Sequence, residues 1–158
     1  MIRTFALLAT LAATTALAAE RFMPDVIHWA ASTAEMQARL AGKCAPMNTR
    51  PIVPPFLDNA KKQMQIDCEN FLFFGKPRHA EFVVGDNRLK MVWIMTGTGE
   101  DGVLRAAMTA AYGPPDHRNR RYDAFVAHRA ALRLDRHEVL FYAPDAAGDT
   151  EPDFAADK

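Results

Sequence analysis

Between Gln63 and Met95 the apolar residues recur at every second position, and that alternation restricts the middle of the chain to β-strands with one face on a core. Met64, Ile66 and Cys68 alternate with Gln65, Asp67 and Glu69. Phe71 and Phe73 follow a turn expected at Glu69–Asn70, and Gly75-Lys76-Pro77-Arg78 punctuates the next turn. Ala80, Phe82 and Val84 alternate with His79, Glu81 and Val83, and Asp86–Asn87 reads as a hairpin turn. Leu89, Met91, Trp93 and Met95 share one face of the following strand. Its other face carries Val92 and Ile94, so it is expected at the centre of a sheet. Four strands joined by tight turns predict an antiparallel meander.

Helical signals flank this region. Ser32-Thr33-Ala34-Glu35 is a capping box, Met36 and Leu40 recur at i, i+4, and Gly42 supplies a left-handed stop, which predicts a helix over 33–41. Residues 46–59 hold Pro46, Pro51, Pro54 and Pro55 and are expected to be an extended loop. Thr98 is expected to cap a second helix with the stripe Val103, Leu104, Ala107, Met108 and Ala111, ended by Gly113-Pro114-Pro115. A second strand set follows: Val126, Ala130, Leu132 and Leu134 alternate inward, Arg136–His137 is a turn, and Val139–Tyr142 returns. The order predicts an α+β fold, a single antiparallel sheet of about 5–7 strands with two main helices on one face. It also suggests a degenerate helix-plus-meander repeat. In outline this is similar to outer-membrane assembly lipoproteins and secreted β-lactamase inhibitor proteins. The likeness is one of topology and implies no site residues and no function.

The N-terminus reads as an export signal. Arg3 supplies the positive charge, residues 5–17 the apolar run, and Ala16-Leu17-Ala18 the small-x-small pattern, with cleavage expected near Ala18/Ala19. Residues 1–19 are thus expected to be a cleaved signal peptide and the mature protein periplasmic or secreted, without a transmembrane segment. In an oxidising compartment Cys44 and Cys68 are expected to form a disulfide, and closing a loop of about 25 residues stabilises the fold by roughly 3 kcal/mol. Residues 20–144 are expected to form one domain. The tail 145–158, with Asp145, Asp149, Glu151, Asp153 and Asp157 against Lys158, is expected to be disordered.

Composition and motifs point away from catalysis. Lys plus Arg number 19, as do Asp plus Glu, so bulk charge names no partner. Gly97-Thr98-Gly99-Glu100-Asp101-Gly102 has the written form of a dinucleotide loop, but its two carboxylates would repel a pyrophosphate, and a helix-opening turn explains them. His28, His79, His117, His128 and His137 form no short His–His chelate, and Ser32, the one serine, is already a cap. Asp67, Glu69 and Glu81 are carboxylates on the strands that alternation turns to solvent. No catalytic, cofactor or metal set is therefore expected. Arg78, Arg118, Arg120 and Arg121 form a candidate patch for an anion or a partner, without the interleaved aromatics that nucleic acid requires. The leading expectation is a non-catalytic exported binding or accessory protein that contacts another envelope protein. The alternative is a small envelope hydrolase or ligand-binding protein whose site assembles only in the fold.

Overall fold

The computed structural model describes residues 22–58 and 60–156; the expected signal peptide and its cleavage point lie outside them. Its centre is one antiparallel sheet of eight strands in the order β1-β2-β3-β4-β8-β7-β6-β5. The strands are β1 Met47–Pro51, β2 Gln63–Phe73, β3 Lys76–Gly85, β4 Arg88–Met95, β5 His117–Arg118, β6 Tyr122–Phe125, β7 Ala130–Arg133 and β8 Glu138–Tyr142. Helix α1 (Thr33–Leu40) precedes the first four strands and α2 (Asp101–Tyr112) the second four. Each half is a helix followed by a four-stranded meander, and the halves meet where β4 pairs with β8, from Met91↔Tyr142 to Met95↔Glu138. The α+β class and single sheet agree with the sequence; the strand count is higher.

β1, β5 and β6 lie outside the strands expected from the sequence, and β1 and β5 are the outer ones. β1 forms inside the segment expected to be a loop, because Pro51 stands at the end of an edge strand, where a missing N–H costs no ladder bond. β5 has only two residues. Conversely, the turn expected at Glu69–Asn70 is a bulge within one long strand: Cys68 faces Ala80 and Phe71 faces Arg78, so β2 carries one extra residue. Asn70 takes a positive φ of 57°, and its side-chain amide donates to the Ala45 carbonyl at 2.6 Å. The insertion resets the alternation, so Ile66, Cys68, Phe71 and Phe73 all meet the helix-side core. Phe74 and Gly75 at the β2–β3 tip both have positive φ, as do Asp86 and Asn87 at the β3–β4 tip, which suits tight hairpins between right-twisted strands.

The helix-side core packs Met36 and Leu40 of α1 and Leu104 and Met108 of α2 onto Ile66, Phe82, Val92, Ile94, Leu132, Val139 and Phe141. The capping box is formed: the Glu35 amide donates to Ser32 Oγ at 3.2 Å, and the Ser32 amide to Glu35 Oε2 at 2.8 Å. Thr98 does not cap α2. Glu100 occupies the N-cap position, and its side chain makes no cap bond because it is drawn to Arg78 and Lys76. Val103 faces solvent, so the buried stripe of α2 is narrower than expected. Val126 and His128 lie in a 3-10 turn between β6 and β7, outside the strand expected there. Cys44 and Cys68 are joined, tying the chain after α1 to β2.

The C-terminal segment corrects the expectation of disorder. Pro144–Ala146 forms a 3-10 turn, followed by the one-turn helices α3 (Ala147–Thr150) and α4 (Pro152–Ala155), which lie on the opposite face of the sheet. Phe154 is 2% exposed, packed edge-on to Tyr122 at 5.0 Å and tilted on Tyr142 at 6.0 Å. Tyr142 Oη donates to Glu151 at 3.0 Å, and the Asn119 amide donates to the carbonyls of Phe154 and Ala156. An acidic composition was overridden by one aromatic anchor and a few bonds.

Two outcomes follow. The folded protein should show no free thiol on titration, and Cys44→Ser/Cys68→Ser should lose roughly 3 kcal/mol in chemical denaturation; a free thiol in the folded protein contradicts the pairing. Phe154→Ala should cost about 3 kcal/mol, because it empties a filled aromatic site.

Candidate functional site

The sheet presents two faces of different chemistry. Side chains pointing away from the helices split into two zones. Over β6–β8 the face is apolar and is covered by the C-terminal segment, with Tyr122, Ala124, Ala131, Leu140 and Tyr142 beneath it. Over β1–β3 it is polar, carrying Asn48, Arg50, Asp67, Glu69, His79 and Glu81 around a shallow depression. Arg133 lies between the zones, its guanidinium 5.6 Å from the ring centres of both Trp93 and Tyr122. Beside it, burial pushes the Glu138 carboxyl above the ordinary glutamate range, with Arg133 opposing the shift. The carboxylates Asp67, Glu69 and Glu81 therefore share one face, as alternation on β2 and β3 requires.

The apolar opening lies on the helix side. A trough of about 1050 Å³ runs among α2, the end of β2 and the segments flanking α1. Phe71 and Phe73 of β2, Phe22 and Val26 line it, with Leu72 and Phe74 at the hairpin arm. Leu72 is 70% exposed and Phe74 45%, which is unusual for side chains of this size. Ala107, Ala110 and Ala111 form the α2 wall, and their small side chains keep the trough open. Phe22 is held by an aromatic cluster, edge-on to Phe73 and Tyr112 at 5.7 Å each. Among the lining residues only Asp25 and Lys43 carry charge, and no histidine lines the trough. Such a surface can bind apolar groups.

Of the four arginines of the expected patch, Arg118, Arg120 and Arg121 lie at β5 and the turn after it, and Arg78 lies apart. Arg78 sits on β3 with its side chain buried, donating to the Phe73 carbonyl at 3.1 Å and paired with Glu100. Four strands lie between β3 and β5. Arg118 donates to Asp123 at 2.8 Å, and Arg121 approaches Asp135 at 3.5 Å and lies over the Tyr122 ring. Arg120 is exposed in the same turn. The glycine string before α2 is filled from within: Glu100 Oε1 stands 3.0 Å from where a Gly97 Cβ would be, and the carboxylate is gripped by Lys76 and Arg78. His128 stacks on Tyr112 at 4.5 Å, and His137 pairs with Asp101 at 2.9 Å.

Sequence reading missed two groupings. Asp123 is fully buried on β6 and is bonded by Arg105 of α2 and Arg118 of β5. Its polarity in an apolar strand was the only signal. The other lies on the polar face, where Asp67, His79 and Glu81 each bring a ligand atom to within 4.8 Å of the others. The spacings Asp67-x-Glu69 and His79-x-Glu81 on paired strands carried that signal, because residues two apart on a strand share a face. Neither protein-family models, nor curated proteins, nor solved structures give a match to this chain, so its chemistry is argued from its own residues.

Two tests bear on the charged groups. Asp123 is the buried member of its cluster while both arginines reach solvent, so Arg105→Ala/Arg118→Ala should destabilise by about 3–5 kcal/mol by leaving an unpaired buried carboxylate. Asp123→Ala should cost less, about 2 kcal/mol, since the freed guanidinium groups hydrate; the reverse order in denaturant titrations contradicts this. The Arg78 and Lys76 bonds hold the Glu100 carboxyl below its ordinary value of 4.5. Its stabilising contribution is therefore complete above that value and lost as pH falls through the lower folded value. Glu100→Gln should flatten that part of the acid limb of stability against pH; an unchanged limb contradicts the pairing.

Proposed function

We propose that this is an exported, periplasmic, non-catalytic binding protein whose helix-side trough receives the apolar face of an amphipathic helix from another envelope protein. The observation that carries this reading is the trough itself: an aromatic floor, a wall of alanines on α2, and Leu72 and Phe74 exposed at its mouth. Small residues at Ala107, Ala110 and Ala111 allow a second helix to approach α2 closely, and Phe71 and Phe73 offer the flat apolar floor that i, i+3, i+4 anchors need. Asp25 and Lys43 at the rim provide opposite charges that can set the direction of the docked segment.

Export is supported by the N-terminal signal pattern and by the Cys44–Cys68 disulfide, which persists in oxidising compartments. No helix among the described residues is long and apolar enough to cross a membrane. The predominantly apolar lining, with charge only at Asp25 and Lys43, favours binding of an apolar surface.

Photo-crosslinking in cells tests the reading. A benzophenone side chain at position 72 or 74 should trap one discrete envelope protein, and the adduct should map to a helical segment of it. Ala107→Phe, which fills the trough, should abolish that adduct while leaving the thermal midpoint within a few degrees. A benzophenone at position 48, on the other face, should trap nothing equivalent. Equal trapping from position 48, or an adduct that survives Ala107→Phe, would refute the site.

A further inference from the structure

The polar face of the sheet carries a second site that the trough does not use. Asp67 on β2 faces Glu81 on β3 in the antiparallel register, and His79 lies two residues from Glu81 on the same strand. Their side chains therefore project together from two hydrogen-bonded strands, and the register leaves them little freedom to separate. The Cys44–Cys68 disulfide fixes the residue next to Asp67.

The imidazole is oriented as a ligand. Nδ1 of His79 lies 2.6 Å from Glu69 Oε1, a short hydrogen bond to a carboxylate that places the ring proton on Nδ1. Nε2 then presents its lone pair on the side of Glu81, at 3.6 Å from Oε1. That separation is too long for a hydrogen bond. It is close to the spacing of two atoms bound to one tetrahedral zinc ion, about 3.4 Å for bonds of about 2.1 Å. An imidazole lone pair and a carboxylate that face each other across such a gap repel, unless a cation or a second ring proton lies between them. Asp67 completes a set of three atoms within 4.8 Å of one another. Charge favours the cation too: Asp67, Glu69 and Glu81 are countered by Arg50, which donates to Asp67 at 3.0 Å, leaving the face anionic. Gln65 holds the other oxygen of Asp67 at 2.6 Å.

We propose that Asp67, His79 and Glu81 form a binding site for a divalent first-row transition ion, of which zinc is the representative, with Glu69 as the positioning residue behind the imidazole. A nitrogen donor with two carboxylates suits zinc over calcium or magnesium. The carboxylate–histidine–metal relay is the usual way in which such a ring is oriented. Three protein atoms leave a fourth position open towards solvent, where water or a donor from another molecule completes the shell. Arg50 competes for Asp67, so binding releases its guanidinium to solvent.

The experiment is titration of the purified, disulfide-intact mature protein with Co²⁺ and Zn²⁺ at neutral pH, followed by visible absorbance and calorimetry. One equivalent of Co²⁺ should give the d–d bands of a low-coordinate site, which Zn²⁺ bleaches and excess Mg²⁺ does not. His79→Ala should abolish the bands, and Glu69→Gln should weaken binding about 10–100-fold. Arg50→Ala should tighten it by freeing Asp67. These side chains line a solvent-facing depression, and an unchanged thermal midpoint of each metal-free variant verifies its fold. No saturable binding at millimolar zinc overturns the proposal; the gap between His79 and Glu81 is then bridged by a ring proton alone. Binding that survives His79→Ala overturns it as well, by placing the ion elsewhere. The trough lies on the other side of the sheet, so neither result bears on helix docking.

Discussion

Everything else in this protein depends on the pairing of β4 with β8. Each half of the chain supplies a helix and a four-stranded meander, and each meander by itself would present its inner strand, apolar on both faces, as an unpaired edge. Joining the inner edges of the two meanders gives one eight-stranded sheet and removes two exposed edges that would otherwise invite aggregation. The residues at the seam reflect this role. Val92, Ile94, Val139 and Phe141 are fully buried on the helix side, and Leu140 and Tyr142 are fully buried on the other. The seam strands are thus apolar on both faces, while the outer strands carry the polar and charged groups.

The seam also sets up the division between the two faces. The chain leaves β8 on the side opposite the helices, so its C-terminal segment falls on the second half of the sheet and covers it. On the first half of that face Leu57 and Ala60 of the β1–β2 connection pack with Val83 and Met91, whereas the stretch around Asp67, Glu69, His79 and Glu81 receives no such cover and is polar. On the helix side, α1 has eight residues and α2 has twelve, and together they do not cover the end of β2 beyond the bulge. The aromatic floor left there is the trough. Both candidate sites are therefore consequences of coverage: one where cover is missing over apolar residues, the other where it is missing over polar ones.

Much of this was legible in the residues. The alternation along β3 and β4, the Ser32–Glu35 capping box, the stop at Gly113 and the hairpin at Asp86–Asn87 are local signals, and local physics decides them. At Asn70 the pair Glu69-Asn70 has turn chemistry, and only pairing with β3 shows that the strand continues through a bulge. β1 was hidden by prolines whose cost vanishes at an edge. In the C-terminal segment composition averages over the tail, whereas Phe154 finds a deep site between Tyr122 and Tyr142. The separation of Arg78 from the other three arginines has a related reason. Sequence proximity and charge do not reveal which guanidinium groups are already held by Glu100, Asp123 and Asp135. The His79 site needed cross-strand register, which no single strand carries.

Amide hydrogen exchange of the folded protein tests the β4–β8 seam most directly. Amides of β4 and β8 should exchange slowest, only through global unfolding, and protection should fall towards β1 on one side and β5 on the other. A contrary result would be two independently exchanging halves, with β4 and β8 amides opening before those of β2–β3 and β6–β7.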